Sequence, residues 1–225
     1  MSFKTFKTKI RKKIGWVGLA EFTDDPVASN SLESWNSLFN NKRFLKSYIE
    51  PGRISFYTEL VDKIKKSNTL ENTNSIIDIG CGTGHLLSEI KKHYPNIKLI
   101  GSDFSEQALE VAKKTLSDAT FLSFDIYNIP ESLLEHYDAV TCTEVIEHLL
   151  YPEKALINLK SLLIDHKGIL ILSVPNGRRD TSEIHINFWS PESWKVLIES
   201  NFKHAEIDFF SIENNMTNLA IIKIN

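Results

Sequence analysis

Between Ile76 and Leu87 the chain reads Ile-Ile-Asp-Ile-Gly-Cys-Gly-Thr-Gly-His-Leu-Leu, and few folds accommodate that order. A short isoleucine-rich run suits a strand buried on both faces of a parallel sheet. Gly80, Gly82 and Gly84 follow at alternate positions. Glycine reaches backbone angles closed to a residue with a Cβ, so the chain can turn sharply there and let a ligand approach its backbone. From His85 to Tyr94 an amphipathic pattern sets in, which predicts a helix whose first N–H groups point into the turn. The expected unit is a strand, a loop that cradles a ligand, and a helix.

A glycine-rich turn alone does not require a ligand. The next apolar run, Ile97 to Ser102, ends in Asp103, and an acid roughly twenty residues beyond such a loop accepts hydrogen bonds from ribose hydroxyls in dinucleotide-binding folds. The glycine spacing departs from Gly-x-Gly-x-x-Gly, the pattern that shapes a helix start for pyrophosphate. Asp78, in the strand just before the loop, would repel a phosphate. A ligand with ribose, no phosphate and a positive charge fits better, and S-adenosylmethionine is such a ligand.

Four stretches in order carry a resemblance: Asp78-Ile-Gly80-Cys81-Gly82-Thr-Gly84, Asp103-Phe104-Ser105, Asp125-Ile126, and Glu144-Val-Ile-Glu147-His148. Together the chain resembles the class I S-adenosylmethionine-dependent methyltransferases, in particular the broad group that includes those of ubiquinone biosynthesis. The likeness runs roughly from residue 74 to residue 225 and is specific for the cofactor rather than for the substrate. It implies that Asp103 takes the ribose diol, that Phe104 covers one face of the adenine, and that Asp125 with the Ile126 N–H reads its edge. Thr143 and Glu144 would approach the methionine end. In similar enzymes an arginine in the helix before the first strand pairs with the methionine carboxylate, and Arg53 stands about there. Each role has a plainer alternative: Asp125 as a cap, Phe104 as core, Arg53 as a surface residue.

The order of elements agrees. Ile76–Gly80, Lys98–Asp103, Thr120–Asp125, Ala139–Thr143 and Ile169–Val174 read as strands separated by helical segments, which calls for a parallel sheet with right-handed crossovers and helices on both faces. Ala205–Ile212 and Leu219–Lys223 follow each other too closely for a crossover and read as a hairpin. The resemblance implies the same ending, so the expected fold is an α/β, Rossmann-like seven-stranded sheet, mostly parallel, with a C-terminal antiparallel hairpin.

Upstream, Lys4, Lys7, Lys9, Arg11, Lys12 and Lys13 alternate with Phe3, Phe6, Ile10, Ile14 and Trp16. Such a segment can pack as a helix on the domain, lie weakly on an anionic membrane surface, or grip an acidic substrate. Residues 23–41 are polar with Trp35, Leu38 and Phe39 at helical spacing, and suit a lid. Residues 1–66 are expected to form a helical extension with a substrate lid, and residues 67–225 the cofactor-binding domain.

A net charge of −3 over 225 residues speaks against a general nucleic-acid surface. Two cysteines, Cys81 and Cys142, give no disulfide framework. No apolar run approaches the length that spans a bilayer, and no signal-peptide pattern is present. A reduced, cytoplasmic protein is expected; nothing bears on oligomeric state.

The chemistry is expected after the fourth strand, where ligands of open α/β sheets bind. His148, with an unperturbed pKa near 6.5, suits removal of a proton from a hydroxyl or amine, with Glu144 and a second histidine, His185, beside it; a loop anchor is the alternative for His185. Glu144, Glu147, His148 and His185 also resemble the metal ligands of small-RNA 3′-end 2′-O-methyltransferases, but Glu-x-x-Glu-His is common in metal-free relatives and no metal is expected. The function this supports is methylation of an oxygen or nitrogen of a small molecule, a sugar-like or phosphate-bearing metabolite, with S-adenosylhomocysteine as product. The alternatives are a metal-dependent RNA 2′-O-methyltransferase and a non-catalytic cofactor-binding partner protein.

Overall fold

The computed structural model describes residues 25–225; the basic N-terminal segment lies outside them. Seven strands form one sheet in the order β3-β2-β1-β4-β5-β7-β6. In chain order they are β1 (Ser75–Ile79), β2 (Lys98–Asp103), β3 (Thr120–Ser123), β4 (Ala139–Thr143), β5 (Gly168–Pro175), β6 (Glu206–Ile212) and β7 (Thr217–Ile224). The first five pair in parallel, while β7 lies antiparallel between β5 and β6. The β6–β7 hairpin turns through Glu213, Asn214 and Asn215, all with positive φ, a conformation asparagine tolerates better than most residues.

Side chains alternate across the sheet and build two cores. Ile77, Ile79, Leu170, Leu172 and Val174 face one way, against α7 (Pro152–Ser161) and α8 (Pro191–Asn201). Ile76, Ile171 and Ile221 face the other way, against α4 (Pro51–Lys66), α5 (His85–His93) and α6 (Glu106–Thr115). The helix α4 starts at Pro51, whose missing N–H is no loss in a first turn. It buries Phe56, Leu60, Val61 and Ile64 in the same cluster as Ile76 and Leu87. The packing therefore marks no boundary after Lys66. Ahead of α4, three short helices, α1 (Pro26–Ser29), α2 (Leu32–Phe39) and α3 (Lys42–Ser47), cross the carboxyl edge of the sheet. The side chain of Asn30 donates to the Ile184 carbonyl at 2.6 Å, and Ser105 Oγ donates to Asn36 Oδ1 at 2.7 Å.

Strand order reverses between β1 and β4, and the crevice outside the carboxyl ends at such a point is where these sheets take ligands. One difference from expectation falls at β3. It ends at Ser123, the partner of Asp103; with β2 ending there, nothing remains for Asp125 to pair with. Asp125 sits in the following turn, its Oδ1 accepting the Tyr127 N–H at 2.8 Å.

Candidate active site

The glycine loop is held from two sides. Gly80, Gly82 and Gly84 all have positive φ, and a Cβ on Gly80 would lie 2.3 Å from Val145 Cγ2, so this position has neither the angle nor the room for another residue. The N–H groups of Gly80 and Cys81 donate to the Ser102 carbonyl at 2.7 and 2.9 Å. Asp103 fixes the rest: its Oδ2 accepts the Gly82 N–H and its Oδ1 the Ser105 N–H, both at 2.9 Å. Burial pushes the Asp103 pKa up to about 6, against the backbone donors that favour its charge. Behind the loop Thr141 Oγ1 donates to Asp78 Oδ1 at 2.7 Å. Burial raises the Asp78 pKa to about 7, the Thr141 bond opposing and Asp103 adding.

Two cavities, of about 250 Å³ and 230 Å³, share walls at Trp35, Tyr48, Gly80, Gly82, Glu144 and His148. Asp103, Phe104, Asp125 and Ile126 line the first; Arg53, Asp78, Cys81 and Thr143 line the second. Gly84 lies behind the loop instead, its Cα side turned to Ala112 and Phe121. Phe104 is half-buried and Asp125 exposed, while Ile126 is buried. Arg53 is the sole lysine or arginine among the described residues lining either cavity. Burial works against its charge, but Tyr57 and Glu144 outweigh this and raise its pKa.

The polar groups after β4 are packed differently. Glu144 has φ of 56°, a left-handed conformation rare in a residue with a Cβ and concentrated at functional sites. Its N–H donates to the Ser173 carbonyl, and its Oε1 accepts from Ser173 Oγ at 3.0 Å. Glu147 is 1% exposed; its main-chain carbonyl accepts the N–H groups of Ile186 and Asn187, while its Oε2 is buried with no partner. Burial, and then repulsion from Glu144, raise the Glu147 pKa. Burial likewise raises that of Glu144, against the charge of Arg53. His148 stands edge-on to Trp35 at 5.1 Å and to His185 at 4.7 Å between ring centres. Its Nδ1 is buried without a partner. Burial, with His185 adding and an Ile184 backbone group opposing, pushes its pKa down to about 3.

His185 is brought here by the loop between β5 and α8, and Asp180 of that loop lies against it, Oδ2 to Nδ1 at 2.5 Å. Asp180 escaped the sequence because a lone aspartate in a polar loop has no periodicity; its proximity to His185, Asp-x-x-x-x-His, was the one available signal. Glu147, His148 and His185 each offer one ligand atom within 4.8 Å of the others, a spacing a metal ion could use. That group closes without Glu144, whose carboxylate is engaged by Ser173.

The arrangement fits the expected cofactor on its own terms. The loop is bare of side chains at Gly82, where an added Cβ would meet only the rings of Tyr48 at 3.5 Å and Phe39 at 3.8 Å. An unpartnered buried hydroxyl, Ser102 Oγ, belongs to a residue lining the first cavity, and an arginine lines the second.

Residues 77–170 match a family model described as a methyltransferase domain. The mitochondrial ubiquinone biosynthesis O-methyltransferase of Saccharomyces cerevisiae is 31% identical over 142 residues, covering 61% of this chain and 44% of that one. The chain spans about half the length of the curated relatives it matches. Among solved structures, the methyltransferase domain of bacterial CtHen1-C has a TM-score of 0.61 at 21% identity, over 77% of this chain and 99% of that one. The plantazolicin methyltransferase BpumL, in complex with SAH, has a TM-score of 0.66 at 18% identity, over 88% of this chain and 96% of the other. At those identities the structures speak for the fold. No helix among the described residues is long and apolar enough to cross a membrane. With the sheet order, the glycine loop and the matched domain in agreement, residues 77–170 are similar to a methyltransferase domain, and the chain has the fold of solved methyltransferases.

Proposed function

We propose that the chain is an S-adenosylmethionine-dependent O-methyltransferase acting on a hydroxyl of a small, largely apolar or aromatic molecule. The observation that carries this is the meeting of the two cavities over the glycine loop, one with Asp103 and Phe104 and the other with Arg53. Asp103 and Phe104 would hold and cover a nucleoside, and Arg53 would pair with an amino-acid carboxylate. When bound, S-adenosylmethionine supplies an electrophilic methyl group on a sulfonium sulfur. Trp35 of α2 and Tyr48, just after α3, would cover the junction and exclude water, so we propose residues 25–50 as a lid. Orientation of this kind is worth roughly 7 kcal/mol or more in good intramolecular models.

The acceptor side explains the choice of substrate class. Val27, Trp35, Leu149, Leu150 and Ile186 line the first cavity beyond the glycine loop. Arg53 is the sole described cation at either cavity, and the cofactor's carboxylate would claim it. A phosphate-bearing acceptor, suggested by the basic N-terminal residues, finds no second positive group among the described residues lining the cavities. Calorimetric titration of the full chain with S-adenosylhomocysteine should give saturable binding. Incubation with methyl-labelled cofactor and a panel of alkylphenols, alkylcatechols and sugar phosphates should then label the first two classes. No cofactor binding by a folded chain would overturn the proposal, and labelling confined to sugar phosphates would overturn its substrate class.

A second reading rests on the group formed by Glu147, His148 and His185: a divalent cation held there would activate the hydroxyl. Turnover lost to a chelator and restored by added metal would favour it.

A further inference from the structure

The helices ahead of α4 gather aromatic rings at the glycine loop. Trp35 and Phe39 of α2 have ring centres 6.0 Å apart, and Phe44 of α3 stands edge-on to Phe39 at 5.4 Å and to Tyr48 at 5.5 Å. Of these rings, Trp35 and Tyr48 line both cavities, while Phe39 lines the first alone and Phe44 the second alone. Both shared rings are held in place. The Trp35 indole N–H donates to Asn30 Oδ1 at 3.3 Å, and Asn30 Nδ2 donates to the Pro26 and Ile184 carbonyls at 2.8 and 2.6 Å. Tyr48 lies against the loop itself: a Cβ on Gly82 would come 3.5 Å from both its Cε1 and its hydroxyl oxygen. Burial, then Tyr57, raises the Tyr48 pKa against the pull of Arg53, so the side chain is a neutral phenol.

We propose that Trp35 and Tyr48 are specificity residues of the cofactor site, whose rings attract the sulfonium and favour the charged methyl donor over its neutral product. This rests on the methyltransferase reading above. In the cofactor the sulfur joins the ribose to the amino-acid chain. With the nucleoside beside Asp103 and Phe104 in the first cavity and the carboxylate on Arg53 in the second, that sulfur belongs where the cavities meet, at the walls they share. Aromatic rings carry negative charge on their faces, and a cation within about 6 Å of a ring centre is drawn to them, most strongly to tryptophan and where water is excluded. S-adenosylmethionine is positive at sulfur and S-adenosylhomocysteine is not, so transfer of the methyl group removes the attraction. The lid that carries both rings is thereby drawn over the donor and relaxes its hold on the product. Glu144 lines the same junction and would favour a cation as well; the test leaves it in place.

The test reads binding and needs no acceptor. The full chain, kept in chelator, is titrated calorimetrically with S-adenosylmethionine, with sinefungin, which has a protonated amine on carbon in place of the methyl sulfonium, and with S-adenosylhomocysteine. The wild type should bind both cations more tightly than the neutral thioether. Trp35→Leu and Tyr48→Leu should each cut that preference by roughly 3–30-fold, the ratio a cation–ring attraction is worth, while S-adenosylhomocysteine affinity changes less than about threefold. Tyr48→Phe keeps the ring and should keep the preference. A preference unchanged in both leucine variants would overturn the proposal. A loss in Tyr48→Phe as large as in Tyr48→Leu would overturn it too, by giving the effect to the hydroxyl, and so would equal losses for all three ligands, which would make the rings a wall and no more. Binding by the wild type without preference for the cations would overturn this proposal and leave the methyltransferase reading intact, whereas no binding of any of the three by the folded chain would overturn both.

Discussion

The loop after β1 and the segment after β4 flank the same crevice, and both hold buried carboxylates. After β1 the polar groups are answered within the protein: Asp103 takes two backbone N–H groups and Asp78 takes the Thr141 hydroxyl. After β4 they are left open: Glu147 Oε2 and His148 Nδ1 have no partner, and Glu144 keeps a left-handed backbone. Glu147 Oε1 does lie 3.7 Å from His148 Nε2, but a buried polar atom with no partner is costly, so the second region bears a cost that the first does not. The loop after β1 is a finished cradle that shapes itself before any ligand arrives. The segment after β4 is incomplete without what it acts on.

The largest expected effect tests which histidine that incomplete region uses. With an acceptor labelled in the panel, His148→Gln should lower turnover by roughly 10²–10⁴-fold, the usual worth of a positioned base, and leave S-adenosylhomocysteine affinity nearly unchanged. His185→Gln, at a residue that lines the second cavity alone, should lose far less. Equal losses would erase the distinction between the two rings.

Next comes pH. Asp78 and Asp103 have folded-state pKa values raised to about 7 and about 6. A raised carboxyl gives stability that is present below the unfolded value and is lost as pH rises through the folded one. Together they favour pH 5 over pH 8 by about 4 kcal/mol. His148, pushed the other way, is stabilising above its unfolded pKa and loses this as pH falls, offsetting about 2 kcal/mol of that. The ligand-free protein should therefore melt higher at pH 5 than at pH 8; the opposite order in a thermal scan would contradict the burial of these acids.

A matched pair of substitutions sharpens the contrast. Asp103→Asn replaces one acceptor oxygen with an NH2 group, which leaves either the Gly82 or the Ser105 N–H facing a donor, and should destabilise the protein by about 1–3 kcal/mol. Glu147→Gln removes a buried carboxylate with an unanswered oxygen, and at pH 8 should leave stability unchanged or raise it by about 1–2 kcal/mol. Urea unfolding at that pH measures both. Destabilisation of the same size at the two sites would mean that they are not built differently.

The smallest expected effect is none: turnover should resist a chelator. Loss of activity that a divalent metal restores would give the open donors after β4 to a cation instead of a proton.

How much of this was legible follows the same divide. The strands Lys98–Asp103 and Ala139–Thr143 stand where apolar runs placed them, because a strand buried on both faces leaves an unbroken hydrophobic signature. Asp103 was legible as a site residue, yet its two backbone bonds were not, since they depend on where Gly82 and Ser105 come to rest. Thr120–Ser123 stops short of the expected Asp125, because its partner strand ends at Asp103. Asp180 was missed, and the unlike surroundings of His148 and His185 could not be read from residues 37 positions apart.

By itself the sequence determined the local conformations: which segments alternate across a sheet, where glycine alone can turn, and which acids follow the strands. These depend on spacing within a few residues, governed by backbone sterics and side-chain period. Only the tertiary structure decided which of the paired acids and histidines are satisfied. Hydrogen bonding and burial are set by neighbours far along the chain, as when Asn30 reaches Ile184 and Thr141 reaches Asp78. A buried polar group is stable or strained according to what stands beside it.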